Sequence, residues 1–297
     1  MKKPTRDIAQ EITNGIIAAL ESGTSPWQKP WKSLGGFGAA FPHNAATGKA
    51  YRGGNVFWLM VQQQSRGYPR AGWMTFNQAR ELGGCVRKGE KGTGVIFWKF
   101  LEKADRTDPS KKVRIPLLRH YTVFNVAQID GLPERIANPE PAPREEIPDL
   151  VSWVEERLQL NGGVQHGGDQ AFYAPGPDVI QLPQPSQFTS GDAYNATLLH
   201  EATHATGRKS RLDRLHGAPF GSPAYAEEEL VAELGASMLC ATLGLNYEIE
   251  HHASYIGSWL KALKNDKNFI LRASSAAQKA VDYITAVADA EELEEAA

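Results

Sequence analysis

The sequence predicts an α+β protein of two domains, and three observations carry that prediction. At 297 residues the chain exceeds one average domain. Residues 1–135 hold 21 Lys and Arg against 10 Asp and Glu, a balance of +11, while residues 136–297 hold 11 against 24, a balance of −13. The overall charge of −2 therefore conceals an electrical division. Close to that division, residues 138–148 (NPEPAPREEIP) carry four prolines, which remove backbone donors and resist helix and sheet alike. The expected domains are 1–135 and 150–297, joined by a proline-rich linker over 136–149.

In the first domain Ile8, Ile12, Ile16 and Leu20 recur every four residues before Gly23, the pattern of an amphipathic helix. A loop holding Pro26, Trp27, Pro30 and Trp31 follows. Asn55 to Arg66 reads as a second helix capped by Asn55 and ended by Gly67. Thr75 caps a short third one that stops at Gly83-Gly84. The hydrophobic period then changes to two. Val95 to Leu101 and Val113 to Val126 are rich in β-branched and aromatic residues, so this half is mixed α and β with antiparallel pairing.

In the second domain Val151 to Leu160 reads as a short helix and Ala171 to Leu182 as a hairpin broken at Pro175-Gly-Pro-Asp178. A helix capped by Asp192 and closed by Gly207 comes next, and another from Ala224 to Leu243 ends at Gly244. Two amphipathic segments, near Tyr255 to Leu263 and Ile270 to Ile284, precede a Glu-rich tail. Composition is ordinary for a soluble globular chain, 41% hydrophobic and 22% charged. No apolar run approaches the roughly 20 residues of a membrane span, and no signal-peptide core follows MKK. A cytoplasmic location without membrane contact is expected. Cys85 and Cys240 are far apart, and both are expected as reduced, packed thiols.

The chemistry is concentrated in His200-Glu201-Ala202-Thr203-His204. On a helix, H-E-x-x-H places two imidazoles one turn apart with a carboxylate beside them, the pattern of a divalent-metal site with its general base built in. A hydrolytic zinc site needs a third protein donor and keeps a fourth position open. The helix Ala224 to Leu243 offers it: Glu229 and Glu233, spaced i and i+4, border the stripe of Leu230, Leu234, Met238 and Ala241, whereas Glu227 and Glu228 read as solvent-facing. One ion is expected, Zn2+ first and Mn2+ as the alternative, since both occupy two histidines and a carboxylate. It would acidify a water and polarise a peptide carbonyl while Glu201 takes the proton. Tyr225, His252 and Tyr255 are candidates to stabilise the oxyanion. A substrate strand is expected to pair with the edge formed by Val179 to Leu182.

The basic half suggests a nucleic-acid partner. Five of the seven tryptophans (Trp27, Trp31, Trp58, Trp73, Trp98) lie there, and aromatics among cations favour unpaired bases, whose faces are open to stacking. Trp27 and Trp31, beside Lys29 and Lys32 in a proline-broken loop, are the expected platform, and Trp58 is expected in the core. The glycine-rich loop with Arg87, Lys88 and Lys91 can hold phosphates, and Arg52 joins the candidate contacts.

H-E-x-x-H followed by a helix with Glu-x-x-x-acid resembles a gluzincin. That resemblance implies Glu229 as third ligand and Glu233 as the acid that orients a ligating histidine. The whole chain resembles the ArdC family of plasmid-borne antirestriction proteins. The resemblance rests on SPWQKPW, NAATGKAYRGGN, WMTFNQARELGG, RKGEKGT and YTVFNVAQIDGL in the first half, and on HEATHATG, RLDR and AEEELVAELGA in the second. It implies an N-terminal single-stranded-DNA-binding domain, a C-terminal zincin-like metallopeptidase domain acting on an unidentified, DNA-bound protein substrate, and antirestriction during conjugative plasmid transfer. The alternative reading is a protective DNA-binding protein whose metal site is structural or vestigial.

Overall fold

The computed structural model describes residues 7–23, 25–27, 41–104, 112–137, 149–217, 219, 221–247 and 253–286. Most of the expected linker and the Glu-rich tail lie outside them.

The first helix, α1 (Ile8–Glu21), buries Ile8, Ile12, Ile16 and Leu20, as their four-residue spacing requires, and Asp7 caps it through the Gln10 N–H. The second, α2 (Gly54–Ser65), starts at Gly53 rather than at Asn55. Asn55 is instead buried against the sheet. Its side-chain amide donates to the Ile96 carbonyl at 2.6 Å and accepts from the Ile96 N–H at 3.1 Å, sealing an outer strand edge.

Four strands form the first sheet: β1 (His43–Asn44), β2 (Gly72–Thr75), β4 (Thr93–Ala104) and β5 (Lys112–Asn125), in the order β1-β2-β5-β4. The short α3 (Phe76–Glu81) follows β2 with Thr75 and Gln78 in a capping box. β4 and β5 pair antiparallel from Thr93↔Val123 to Ala104↔Lys112, but β2 reaches only Val123 to Asn125. The remainder of that pair is a two-stranded ribbon. Two further short strands, β3 (Cys85–Val86) and β6 (Ile129–Asp130), pair with each other before α4 (Glu134–Ala137). Cys85 is exposed, against expectation, while Cys240 is buried.

The second half opens with α5 (Leu150–Leu158) and a three-stranded sheet of β7 (Val164–His166), β8 (Phe172–Ala174) and β9 (Val179–Leu182), in the order β7-β9-β8. Four helices complete it: α6 (Gly191–Thr206), α7 (Pro223–Leu243), α8 (Ala253–Asn265) and α9 (Phe269–Thr285). Ser190, not Asp192, caps α6 through the Ala193 N–H, and Asp192 accepts from Asn246 instead. Residues of α7 from Glu229 to Ala241 are buried without a break, so this helix is the axis of the second half.

α6 and α7 approach closely because Gly235 has no side chain. A Cβ there would stand 2.5 Å from the Thr203 methyl. Thr203 precedes His204 and Gly235 follows Glu233 by two, so the close approach brings the two acid-bearing and imidazole-bearing faces together.

One buried cluster runs through both halves. Trp27 stands at the junction, fully buried, with its ring edge-on to Phe57 at 6.1 Å and to Trp259 at 5.9 Å. Its carbonyl accepts from Ser237 at 3.0 Å. The expectation that Trp27 stacks on bases is therefore corrected, because a ring that fills a core offers no face to a ligand. Thr13 donates to the Lys267 carbonyl, Asp7 pairs with Lys267, and Arg52 pairs with Asp282 across the same junction. Arg52 is thereby committed to holding α9 rather than placed as a phosphate contact.

Trp27→Ala should lower unfolding stability by about 3–5 kcal/mol, as removal of a buried indole does. Denaturant titration measures it. Wild-type stability combined with weakened single-strand affinity would return Trp27 to the DNA face.

Candidate metal centre

α6 presents His200 and His204 one turn apart with ring centroids 4.9 Å from each other and planes at 78°. Across from them α7 presents Glu229. Its carboxylate lies 3.8 Å from His200 Nε2 and 3.6 Å from His204 Nε2. One donor atom from each of the three residues falls within 4.8 Å of the others, and His200 and Glu229 are both buried. Both Nε2 atoms point inward and both Nδ1 atoms point away, which is the arrangement that two imidazoles need to share an ion.

The outer nitrogens differ in their partners. His204 Nδ1 lies 3.0 Å from Glu228 Oε1. His200 Nδ1 faces Glu233 at 3.7 Å, beyond hydrogen-bond reach, and is buried without a hydrogen bond. Glu233 therefore faces the outer side of His200 without a hydrogen bond to it. Glu228 corrects the sequence reading: instead of facing solvent it is 14% exposed, held between His204 and Arg214, with Arg214 Nε at 2.6 Å. A helix-face argument missed it because the acid one position before Glu229 points to the flank of the apolar stripe, where only a neighbouring element can bury it. The signal lay in the Arg of RLDR, ten residues past His204.

Burial disfavours the charged form of His200, yet the Glu229 carboxylate and the charges of Glu201 and Glu233 outweigh it and push its pKa up to about 9. Burial likewise works against ionised Glu229, but the two imidazoles and the Tyr225 hydroxyl outweigh it and hold its carboxyl well below the usual range. A proton on His200 stands in for positive charge that this donor set is built to receive. Two imidazoles and a carboxylate with converging donor atoms fit a divalent ion.

Tyr225 and Tyr255 meet at 3.2 Å through their hydroxyls, and both line the cleft that holds the site. His252, the third oxyanion candidate, lies outside the described residues. The cleft has a volume of about 2290 Å³, and Glu201 lines it between the two histidines. Its far wall is the α9 face of Leu271, Arg272, Ser275, Ala276 and Lys279. The expected substrate edge needs correction. Val179–Leu182 is the central strand of its sheet, paired on both sides, and the outer strand beside the cleft is β8 with Phe172 46% exposed.

Among the described residues, the DNA-contact candidates lie in different surroundings. Lys29, Trp31 and Lys32 lie outside the described residues. Arg87 pairs with Glu90 and Asp130 and donates to the Ala127 carbonyl, so its charge is occupied locally, while Lys88 and Lys91 are exposed on the same loop. Trp58 and Trp73 are buried.

A sheet, an H-E-x-x-H helix beneath it and a glutamate-bearing helix crossing it define a zincin-like metallopeptidase domain, and residues 156–276 match the family described as zincin-like metallopeptidase. Residues 6–124 match the N-terminal domain of the anti-restriction factor ArdC. The chain is similar to the crystal structures of the antirestriction protein ArdC from plasmid R388. The metal-free form is 42% identical, with a TM-score of 0.77 over 94% of this chain and 97% of that one. The Mn(II)-bound form is 41% identical, with a TM-score of 0.77 over 95% and 98%. An uncharacterized protein, y4eC of Sinorhizobium fredii, is 40% identical over 94% of this chain and 92% of its own length. Two DNA primases TraC of Escherichia coli are each 42% identical over 96% of this chain, which spans only 20% and 27% of their lengths. This chain belongs to the ArdC antirestriction family.

Metal affinity should rise with pH. Below about pH 9 the ion must displace the His200 proton, so affinity should climb by up to about tenfold per pH unit and level off above that value. Zn2+ titration against a competing chelator across pH 6 to 10 measures this, and a flat profile would contradict it. Glu229→Ala should weaken binding more than Glu233→Ala, because an orienting partner typically contributes only about 10 to 100-fold. The reverse order would exchange the two roles.

Proposed function

We propose that this protein engages single-stranded DNA through its basic half and hydrolyses a polypeptide at the α6–α7 centre, as an antirestriction factor in plasmid transfer. The observation that carries the hydrolytic reading is Glu201, a carboxylate set between two converging imidazoles in an open cleft. His200, His204 and Glu229 would hold the ion, which when bound supplies Lewis-acid polarisation of a carbonyl and an acidified water. Glu201 is placed to accept a proton from that water and return it to the leaving amine. The Tyr225 and Tyr255 hydroxyls face the same space and can donate to a developing oxyanion. The β8 edge offers backbone groups to an extended peptide, with Phe172 beside it for an apolar side chain.

The ArdC structures bear on the choice between a catalytic and a structural ion. ArdC resembles this chain equally with and without Mn(II), at a TM-score of 0.77 in both. The fold of that relative forms with and without the ion. Trp27, Trp58 and Trp73 of the basic half are interior. The β4–β5 ribbon offers an exposed ring instead: Tyr121 is 42% exposed and braced edge-on by Phe97 at 5.4 Å. Arg119, exposed two residues before it, lies on the same face of the strand. A fixed ring beside a guanidinium suits an unpaired base next to its phosphate.

Glu201→Gln keeps the size of the side chain and removes the basic lone pair, so metal content and single-strand affinity should survive while proteolysis falls by at least about 10² to 10⁴-fold. The assay is cleavage of the chain itself or of a DNA-bound protein, with and without single-stranded DNA and chelator. Undiminished cleavage in the variant would refute the hydrolytic role. Protection of transferred DNA in a restricting recipient, measured on the same variant, decides whether antirestriction needs cleavage or is steric.

Tyr121→Ala should cost about 1–3 kcal/mol of single-strand affinity and leave unfolding stability nearly unchanged. Fluorescence anisotropy on a labelled oligonucleotide reads the first and denaturant titration the second. Unchanged affinity would remove the ribbon from the DNA surface.

A further inference from the structure

The loop that follows α6 folds back over the end of its own helix. Leu212 N–H donates to the Thr206 carbonyl at 2.9 Å, and the N–H groups of Arg214 and Leu215 both donate to the Gly207 carbonyl at 2.8 Å. Gly207 makes this return possible, because a Cβ there would stand 2.8 Å from Leu215 and 3.1 Å from the Arg214 guanidinium. The turn delivers Arg214 to the space between α6 and α7.

There the guanidinium is shared between the two helices. On α6, Nη2 donates to the Thr203 carbonyl at 2.9 Å and Nη1 to Thr206 Oγ1 at 3.2 Å. On α7, Nε donates to Glu228 Oε2 at 2.6 Å and Nη2 to Oε1 at 2.9 Å, a two-pronged grip on one carboxylate. The same Oε1 lies 3.0 Å from His204 Nδ1. Both side chains are largely buried, at 16% and 14% exposure, so the grip is little weakened by solvent. A carboxylate held on both oxygens by arginine can only accept from His204. The imidazole must then carry its proton on Nδ1 and turn Nε2 toward Glu229.

We propose that Arg214 is a positioning residue of the metal centre. Through Glu228 it fixes which nitrogen of His204 faces the ion, and through Thr203 and Thr206 it fixes the spacing of the two ligand-bearing helices. The asymmetry between the histidines supports this, since the Glu233 carboxylate behind His200 stands 3.7 Å away while the arginine-gripped Glu228 stands at 3.0 Å. The inference rests on reading His200, His204 and Glu229 as the ligands.

The test uses the full chain with Arg214→Ala, Arg214→Lys and Glu228→Gln, loaded with Zn2+ and separately with Co2+. Arg214→Ala should weaken Zn2+ binding by about 10 to 100-fold and change the visible Co2+ spectrum, which reports ligand geometry. Lysine should recover only part, because an ammonium cannot fork onto both oxygens. Arg214→Ala that melts at a lower temperature without metal, yet binds Zn2+ with wild-type affinity and an unchanged Co2+ spectrum, would overturn the proposal and leave a loop brace. If Arg214→Ala does not fold, Glu228→Gln carries the test: its amide still accepts from His204 but loses the charge that Arg214 grips, and wild-type Zn2+ affinity there overturns the proposal equally. Stoichiometric Zn2+ in His200→Ala/His204→Ala would instead fail the underlying ligand assignment.

Discussion

Four carboxylates withdrawn from solvent between two helices are the constraint around which the second half of this protein is arranged. Glu201, Glu229 and Glu233 are each less than 9% exposed, and Glu228 is 14% exposed at its side chain. Carboxylates at such positions are tolerated only when paired, because desolvating an ion costs several kcal/mol. Two imidazoles, the guanidinium of Arg214 and the hydroxyls of Tyr225 and Tyr247 are among the groups set against them. The carboxylates of Glu229, Glu201 and Glu233 leave His200 facing a deficit of positive charge, which outweighs burial and raises its pKa. A divalent ion meets the same deficit at the atoms that already converge.

The loop from Arg208 to Leu215 extends this arrangement to the β8 side of the cleft. Asp178, fully buried at the β8–β9 turn, accepts from Arg208 at 2.9 Å, from Arg211 on both oxygens at 2.9 Å and from Tyr173 at 2.7 Å. Arg211 also donates to the Ala205 carbonyl at 2.9 Å, so it closes the end of the histidine helix. The strand edge at Phe172, the histidines on α6 and the candidate third donor on α7 are thereby referenced to one short segment. A peptide lying on β8 would approach Glu201 from a fixed direction, which positional catalysis requires.

The division of charge along the chain does not correspond to a division of the core. Trp27 belongs to the basic half by sequence and packs against Trp259 of α8, and Arg52 crosses to Asp282 of α9. A continuous ring contact follows, because Trp259 stacks on Tyr255 at 6.0 Å and Tyr255 meets Tyr225 at the rim of the metal site. The segment leading into Lys29, Trp31 and Lys32 is therefore anchored on the same packing that supports the candidate centre.

The α+β class, the amphipathic α1, the antiparallel β4–β5 pair and the histidine helix were all legible in the sequence, because each depends on local periodicity or on a motif within one element. His200 and His204 face one way through helix geometry alone, and the Glu-x-x-x-Glu spacing narrowed the third donor to two acids. Other features were decided by contacts between distant segments. Asn55 looks like a cap until Ile96 is beside it, Val179 to Leu182 looks like an edge until β7 and β8 flank it, and Glu228 looks solvated until Arg214 reaches it. Trp27 lies in a stretch of polar and proline residues that gives no periodic sign of burial, and it is enclosed by contacts from distant segments, Phe57 on α2, Ser237 on α7 and Trp259 on α8. Local pattern specifies which face of an element is apolar. What stands opposite that face, and so whether a polar or aromatic side chain is a ligand contact, a cap or core, is set by the tertiary fold.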